Sequence, residues 1–333
     1  MSRDTLLQHW VAQQFPGQNI ELAPASADAS FRRYFRVTLP DGSSRIVMDA
    51  PPEREDCRPF IQVAGLMAEA GVHVPAVLAQ DLDQGFLLLT DLGNSGYLAR
   101  LQTAPAAARA LFASSGEALM KWQQASRPDV LPPYDAALLR RELDLFPEWF
   151  LGRHLQFELT DADKAMLEQV FETLIAAALN QPQVYVHRDF MPRNLMLCSE
   201  GTGVLDFQDA VYGPLTYDLV SLYRDAFISW EEEDELDWVI RYWEKARKAG
   251  LPVRRDFSEF WQEYEWMGLQ RHFKVLGIFC RLNYRDGKSN YMADLPRFLR
   301  YVRHVAERYI VFKPLIDLLD RIEGRSQESG YTF

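Results

Sequence analysis

The stretch that most constrains the fold is Val184 to Phe207, VYVHRDFMPRNLMLCSEGTGVLDF. Short apolar runs at 184–186, 195–198 and 204–207 alternate with polar segments, and Ser199-Glu200-Gly201-Thr202 is turn chemistry. That is the pattern of short strands and a hairpin. It interrupts a run of helical periodicities: AAARALFASSGEALMKWQQA, DADKAMLEQVFETLIAAAL, EDELDWVIRYWEKARKAG and DFSEFWQEYEWMGLQRHFKVLGIFCRL. A helical half that is broken once, by strands carrying His, Arg, Asp and Asn, has to present those polar residues on loops.

The beginning of the chain has the opposite character. Leu6 to Phe15 reads as a short amphipathic helix stopped by Pro16-Gly17. FRRYFRVTLPDGSSRIVMDA alternates about a Pro-Asp-Gly turn, a β-hairpin signal. Pro59 to Gly71 has helical spacing with Pro at its start and Gly at its end. VPAVLAQDLDQGFLLLTDLG gives two further strands about Asp83-Gln84-Gly85. After the first helix the order is therefore β-β-α-β-β, with a boundary near Gly93. The fold class is α+β. Residues 1–93 form a small antiparallel β-sheet lobe, and residues 94–333 form a larger, mainly helical lobe.

Charge and cysteine content narrow the function classes. Lys plus Arg number 36 and Asp plus Glu 47, a net charge of −11, which argues against nucleic acid as a partner. Cys57, Cys198 and Cys280 lie far apart without a CxxC spacing, so neither a zinc site nor a disulfide framework is predicted. No apolar run suits a leader or a membrane span, so a cytoplasmic chain that does not enter the membrane is expected. Nothing in the pattern calls for an obligate protein partner.

The loop that enters the predicted hairpin carries the chemistry. A hairpin folded about Glu200-Gly201 sets Asn194 opposite Asp206, and two hard oxygen ligands side by side make a partial Mg²⁺ site. Asp189, five residues before Asn194, can then orient and deprotonate an acceptor hydroxyl. H-R-D-x-x-x-x-N followed by D-F is the catalytic-loop and metal-loop arrangement of phosphoryl transfer. His187 is expected to hold the loop backbone in support of catalysis, and Arg193 is counted with the catalytic set.

HRDFMPRN with LDFQD and YGPLTYDLVSL resembles the aminoglycoside phosphotransferase/choline kinase superfamily, over most of the chain. The resemblance implies a protein-kinase-like bilobal fold. It implies ATP and Mg²⁺ as cofactors, Asp189 as catalytic base, Asn194 and Asp206 as metal ligands, and a bracing role for Asp218. Such kinases carry a strand Lys that holds the nucleotide phosphates. Here the corresponding strand reads SRIVMDAPP, and no Lys precedes Lys121. Among Arg32, Arg33, Arg36 and Arg45, either Arg32 or Arg33 is expected to substitute, since a guanidinium fork matches phosphate oxygens. The competing reading makes these arginines the wet face of a surface hairpin. The Gly-free loop APASADASF is expected to cover the nucleotide with Ser26 and Ser30 as donors, and the adenine to lie against backbone from Leu89 to Asp91.

SADASFRRYFRV, VMDAPP, EDCRPF and GLQRHFKVLGIFCRLNYRDGK are similar to the anomeric N-acetylmuramate/N-acetylglucosamine kinases of bacterial cell-wall recycling. That similarity implies transfer of the γ-phosphoryl group to the C1 hydroxyl of a small amino sugar, giving the α-1-phosphate. Asp209, Arg271 and His272 are the candidate substrate contacts, the last two as cations for a lactyl carboxylate. The alternative for the cluster that Arg271 and His272 form with Lys274 is a solvated helix face. Rival functions are an aminoglycoside, choline or homoserine-type kinase, or a pseudokinase used as a binding module.

Overall fold

The computed structural model describes residues 2–27 and 31–324. In chain order the elements are α1 (Arg3–Gln14), β1 (Glu21–Ala27), β2 (Arg33–Thr38), β3 (Ser44–Asp49), α2 (Arg58–Glu69), β4 (Val77–Asp81), β5 (Phe86–Thr90), α3 (Tyr97–Thr103) and α4 (Ala108–Gln124). There follow α5 (Ala136–Leu143), α6 (Asp161–Leu179), β6 (Gln183–Val186), β7 (Leu195–Cys198), β8 (Gly201–Val204), β9 (Val211–Pro214), α7 (Tyr217–Tyr223) and α8 (Glu232–Lys248). Last come α9 (Phe257–Asp286), α10 (Leu295–Arg308) and α11 (Lys313–Glu323).

Contacts gather these elements into two compact units. The first is Met1–Ala125 with His187–Ala210, and the second is Ser126–Val186 with Val211–Phe333. Backbone hydrogen bonds explain why the β7–β8 hairpin joins the first unit. Leu197 N–H donates to Ser95 O at 2.7 Å and Val204 N–H to His73 O at 2.8 Å. The Tyr97 hydroxyl meets Thr202 Oγ1 at 2.6 Å.

The first unit is built on an antiparallel sheet of order β1-β2-β3-β5-β4. Direct pairing puts Phe35, Val47 and Leu88 on one face and Arg36, Ile46 and Leu89 on the other. The first face packs under α1, whose Leu7, Trp10 and Val11 recur at helical spacing and meet Val37, Val47, Phe86 and Leu88 in one core. The second face looks into a pocket. Gly85 is required where β5 begins: its φ is +70°, and a Cβ there would lie 1.9 Å from Ala50 O.

One strand was absent from the sequence expectation. β1 occupies residues that read as a loop, because Pro24 cannot donate to a ladder and a register shift falls between Pro24 and Ser26. An edge strand tolerates both, and β1 is an edge.

The second unit is organised by the 30-residue α9. Its start is capped by Asp256, which accepts from Ser258 N–H at 2.8 Å, and its end by Gly287 at φ +68°. Leu269, Phe273, Leu276 and Cys280 of α9 share a core with Phe146, Phe150, Phe171, Phe298 and Leu315. Gly277 lets the helix close on the segment that follows α5, since a Cβ would lie 2.3 Å from Leu145 O. β6 and β9 form a separate antiparallel pair. No helix among the described residues is long and apolar enough to cross a membrane.

Candidate active site

The loop 187–194 is held by its own backbone. His187 is wholly buried. Its Nδ1 accepts from the Asp189 N–H at 3.2 Å, so the ring proton lies on Nε2, which donates to Leu205 O at 3.0 Å. Burial pushes its pKa down to about 4, so the ring is neutral at pH 7. The imidazole thus ties the loop to the strand that leads to Asp206. Arg188 has φ +76° and Asp206 φ +62°, both uncommon for residues with a side chain. Backbone strain of this kind costs about 1–3 kcal/mol per residue and has to be maintained by surrounding contacts.

Asn194 is fixed on three sides. Its N–H donates to Met191 O at 2.8 Å, its carbonyl accepts from Leu205 N–H at 2.9 Å, and its Nδ2 donates to Asp189 O at 3.0 Å. The hairpin register differs from the expected one. Cys198 pairs with Gly201 and Leu195 with Val204, so the loop is Ser199-Glu200 and Asn194 falls opposite Leu205. The left-handed backbone at Asp206 turns its carboxylate back, leaving Oδ2 3.5 Å from Asn194 Nδ2. Gln208 Nε2 donates to Asp206 Oδ1 at 2.9 Å, and Arg32 Nη2 lies 3.6 Å from the same oxygen.

These donors fit Mg²⁺. With Nδ2 of Asn194 engaged by the loop, its Oδ1 is the atom left for a cation, and Asp206 supplies a carboxylate. Mg²⁺ takes one or two such hard ligands and completes its shell with water and phosphate oxygens.

A pocket of about 360 Å³ opens beside this pair. Ile46, Leu89 and Thr90 contribute one wall, the 91–94 segment another, and Arg193, Asn194 and Asp206 a third. Phe207, which also lines it, packs at a tilt against Phe60 of α2 with ring centroids 4.7 Å apart. This volume is in the range of small-molecule sites.

Leu89 and Asp91 of the cofactor set line the pocket, but the Asp91 side chain has a role of its own. It accepts from Arg36 Nε at 2.6 Å, Ser44 Oγ at 2.6 Å and Gly93 N–H at 2.9 Å. Burial alone would raise its carboxyl, and these donors outweigh that and hold it below the ordinary carboxylate value. This Arg36–Asp91–Ser44 network escaped the sequence reading; the nearest signal was the alternation that sets Arg36 opposite Ile46.

Arg33 is corrected. It lies on the α1 side of the sheet, ion-paired to Asp49 and, at 2.8 Å, to Asp4, with its guanidinium over Phe35. Of Ser26 only the backbone is described, in β1, and Ser30 lies outside the described residues. Asp209 is exposed after Phe207, and Arg193 is exposed at the pocket rim.

The charged cluster on α9 is not a surface stripe. Arg271, His272 and Lys274 are all buried, so a solvated face is excluded. Lys274 Nζ pairs with Glu142 at 3.0 Å and donates to Tyr217 Oη at 2.8 Å. His272 stacks on Tyr301 at 4.9 Å. Burial, with Arg224 and Arg271 nearby, holds its pKa well below the ordinary value, so it is neutral and supplies no cation. Arg271 acts on Asp225, whose carboxyl burial raises to about 6 against the pull of Arg271 and Arg297.

Comparison with known proteins agrees with this architecture. Residues 21–257 match the phosphotransferase enzyme family. The N-acetylmuramate/N-acetylglucosamine kinase of Neisseria meningitidis serogroup B is 51% identical, with all of both chains covered. The protein of the same description from Pseudomonas aeruginosa is 53% identical over 90% of this chain and 88% of its own. Among solved structures, the ADP-bound aminoglycoside phosphotransferase APH(2'')-Ib superposes with a TM-score of 0.60 at 14% identity, covering 91% of this chain and 99% of that one. A choline/ethanolamine kinase family protein from Mesorhizobium loti gives 0.62 at 16% identity, covering 96% and 100%.

Sheet, loop and hairpin therefore define a protein-kinase-like fold. At this level of identity the solved structures establish the fold alone. The sequence matches go further, and the chain belongs to the phosphotransferase enzyme family.

Proposed function

We propose that this protein transfers the γ-phosphoryl group of ATP to the anomeric C1 hydroxyl of N-acetylmuramate and N-acetylglucosamine, giving the α-1-phosphate, as a cytoplasmic step of peptidoglycan recycling in bacteria. What supports the phosphoryl-transfer part is the way the loop is held: Asn194 Nδ2 donates to the Asp189 backbone carbonyl at 3.0 Å and stands 3.5 Å from Asp206 Oδ2. The acceptor rests on two relatives described as N-acetylmuramate/N-acetylglucosamine kinases, each at least half identical to this chain.

Asp189 orients the C1 hydroxyl and accepts its proton as the sugar oxygen bonds to the γ-phosphorus and the bond to ADP breaks. A hemiacetal hydroxyl is more acidic than an ordinary alcohol, so one carboxylate suffices. Asn194 and Asp206 hold Mg²⁺, which when bound neutralises phosphate charge. His187 keeps the loop in register without touching the reactants. The segment through Gly93 binds the nucleotide, with adenine against the backbone at Leu89 to Asp91. Arg271 is assigned to the lactyl carboxylate, because it is a buried cation whose Nη1 has no hydrogen-bond partner among the described residues.

Product analysis tests the reading. Incubation with Mg·ATP and either amino sugar should give a phosphorus resonance coupled to the anomeric proton with the α coupling constant. ADP release with a cationic acceptor such as choline or an aminoglycoside, and none with either amino sugar, would replace this assignment by another acceptor class. Arg271→Gln should raise KM for N-acetylmuramate more than for N-acetylglucosamine.

A further inference from the structure

We propose that Arg32 is the residue that grips the nucleotide phosphates in place of the strand lysine. The inference rests on the kinase reading above but not on the identity of the acceptor.

The strand that should carry a lysine has none. β3 turns Ser44, Ile46 and Met48 to the pocket side: Ile46 lines the pocket, Ser44 bonds Asp91, and Met48 follows by alternation. No lysine precedes Lys121 in the sequence. A triphosphate bound here would still need a cation from the sheet side.

Four arginines lie in or beside β2 and β3, and the structure separates them. Arg33 and Arg45 alternate onto the face opposite Arg36. Arg33 is ion-paired to Asp49 and Asp4, and Arg45 Nη1 donates to Ser44 O at 2.6 Å. Arg36 is on the pocket side, but its Nε and Nη2 hold both oxygens of Asp91 at 2.6 and 3.0 Å, and Nη2 also reaches Gly93 O. That pair braces the 91–93 segment.

Arg32 is set apart by its place beside Asp206. It immediately precedes β2, in step with Tyr34 and Arg36, which both line the pocket. Its side chain is only 10% exposed, and Nη2 stands 3.6 Å from Oδ1 of Asp206. The guanidinium is thus beside Asp206, which lines the pocket, and β- and γ-phosphate oxygens have to lie near it if Asp206 holds their cation. A planar fork with five donors matches two phosphate oxygens at once, which a lysine cannot do. Met48 can then be apolar because the charge arrives from the neighbouring strand's entry.

The test reads binding rather than turnover. ATP and adenosine affinities are measured by calorimetry for the wild type, Arg32→Ala and Arg33→Ala, each with Mg²⁺ and with EDTA. For Arg32→Ala the Kd for ATP should rise about 10–100-fold, the scale of a lost charge-assisted contact, with adenosine affinity unchanged. The loss should persist in EDTA, because the contact is to phosphate. Arg33→Ala should melt at a lower temperature and keep the wild-type ratio of ATP to adenosine affinity.

An unchanged ratio in Arg32→Ala overturns the proposal. So does a loss seen only with Mg²⁺, which would make Arg32 a positioning residue for Asp206. Failure here with amino-sugar turnover intact in the wild type leaves the functional reading standing. An altered ratio in a protein that phosphorylates no amino sugar does the reverse.

Discussion

Replacing His187 by Gln tests whether the loop is held by a neutral imidazole. Gln keeps a donor for Leu205 O and removes the titration. In the folded protein burial pushes the imidazole down to about 4, against an ordinary 6.5. Between those values the unfolded chain binds a proton here that the folded chain does not. This contribution to stability is therefore complete above pH 6.5 and is lost as pH falls toward 4. For a single site it amounts to about 3 kcal/mol over the whole window, and about 2 kcal/mol of that is gone between pH 7 and pH 5. Asp225 titrates with the opposite sign, since its carboxyl is raised to about 6, but it is common to both proteins and cancels in the comparison. Urea unfolding of each protein at pH 7 and pH 5 gives the difference directly. The wild type should lose about 2 kcal/mol more than His187→Gln on acidification. Equal losses would show that His187 is not held neutral, and the two ring hydrogen bonds at 3.0 and 3.2 Å would have to be reassigned.

Two further outcomes follow from the pocket. Phe207→Ala removes the ring that packs against Phe60 at 4.7 Å next to Asp206, and should lower stability by about 3–5 kcal/mol in thermal or urea unfolding; a loss under about 1 kcal/mol would show that the α2 contact does not support this segment. Asp206→Asn should shift the Mg²⁺ midpoint for turnover upward by at least the ~10–100-fold known for outer-sphere changes at metal sites, and an unshifted midpoint would remove Asp206 from the ligand set.

Much of this fold was legible because local signals were strong. The stretch from Asp161 to Leu179 reads as a helix and forms α6 with those bounds, as Thr160 and Asp163 close a capping box at its start. The β2–β3 hairpin, α2 and the β4–β5 pair likewise fall where alternation, Pro and Gly put them. What the sequence concealed depends on chain direction and backbone angle. β1 was hidden by a proline that only an edge strand with a register shift accepts. The one-residue error opposite Asn194 came from not knowing which residues close the turn, and Gly201 at φ +112° closes it. Asp206 still reaches Asn194, because its own φ is positive, a feature no periodicity reports.

Side-chain roles were harder to read than elements. Adjacent arginines at 32 and 33 look equivalent as text, yet strand alternation sends one toward Asp206 and the other toward Asp49. Arg271, His272 and Lys274 look like a charged stripe, but α9 is so deeply enclosed that all three are buried. Burial changes their chemistry: one is neutral and one is paired inside.

The central claim is that Asp189 serves as the base of a phosphoryl transfer organised by Asn194 and Asp206. The most direct measurement is ADP release by Asp189→Asn with Mg·ATP and N-acetylmuramate, made beside ATP binding by the same protein. Turnover should fall by about 10²–10⁴-fold with ATP affinity unchanged. Turnover within a few-fold of the wild type would contradict the account.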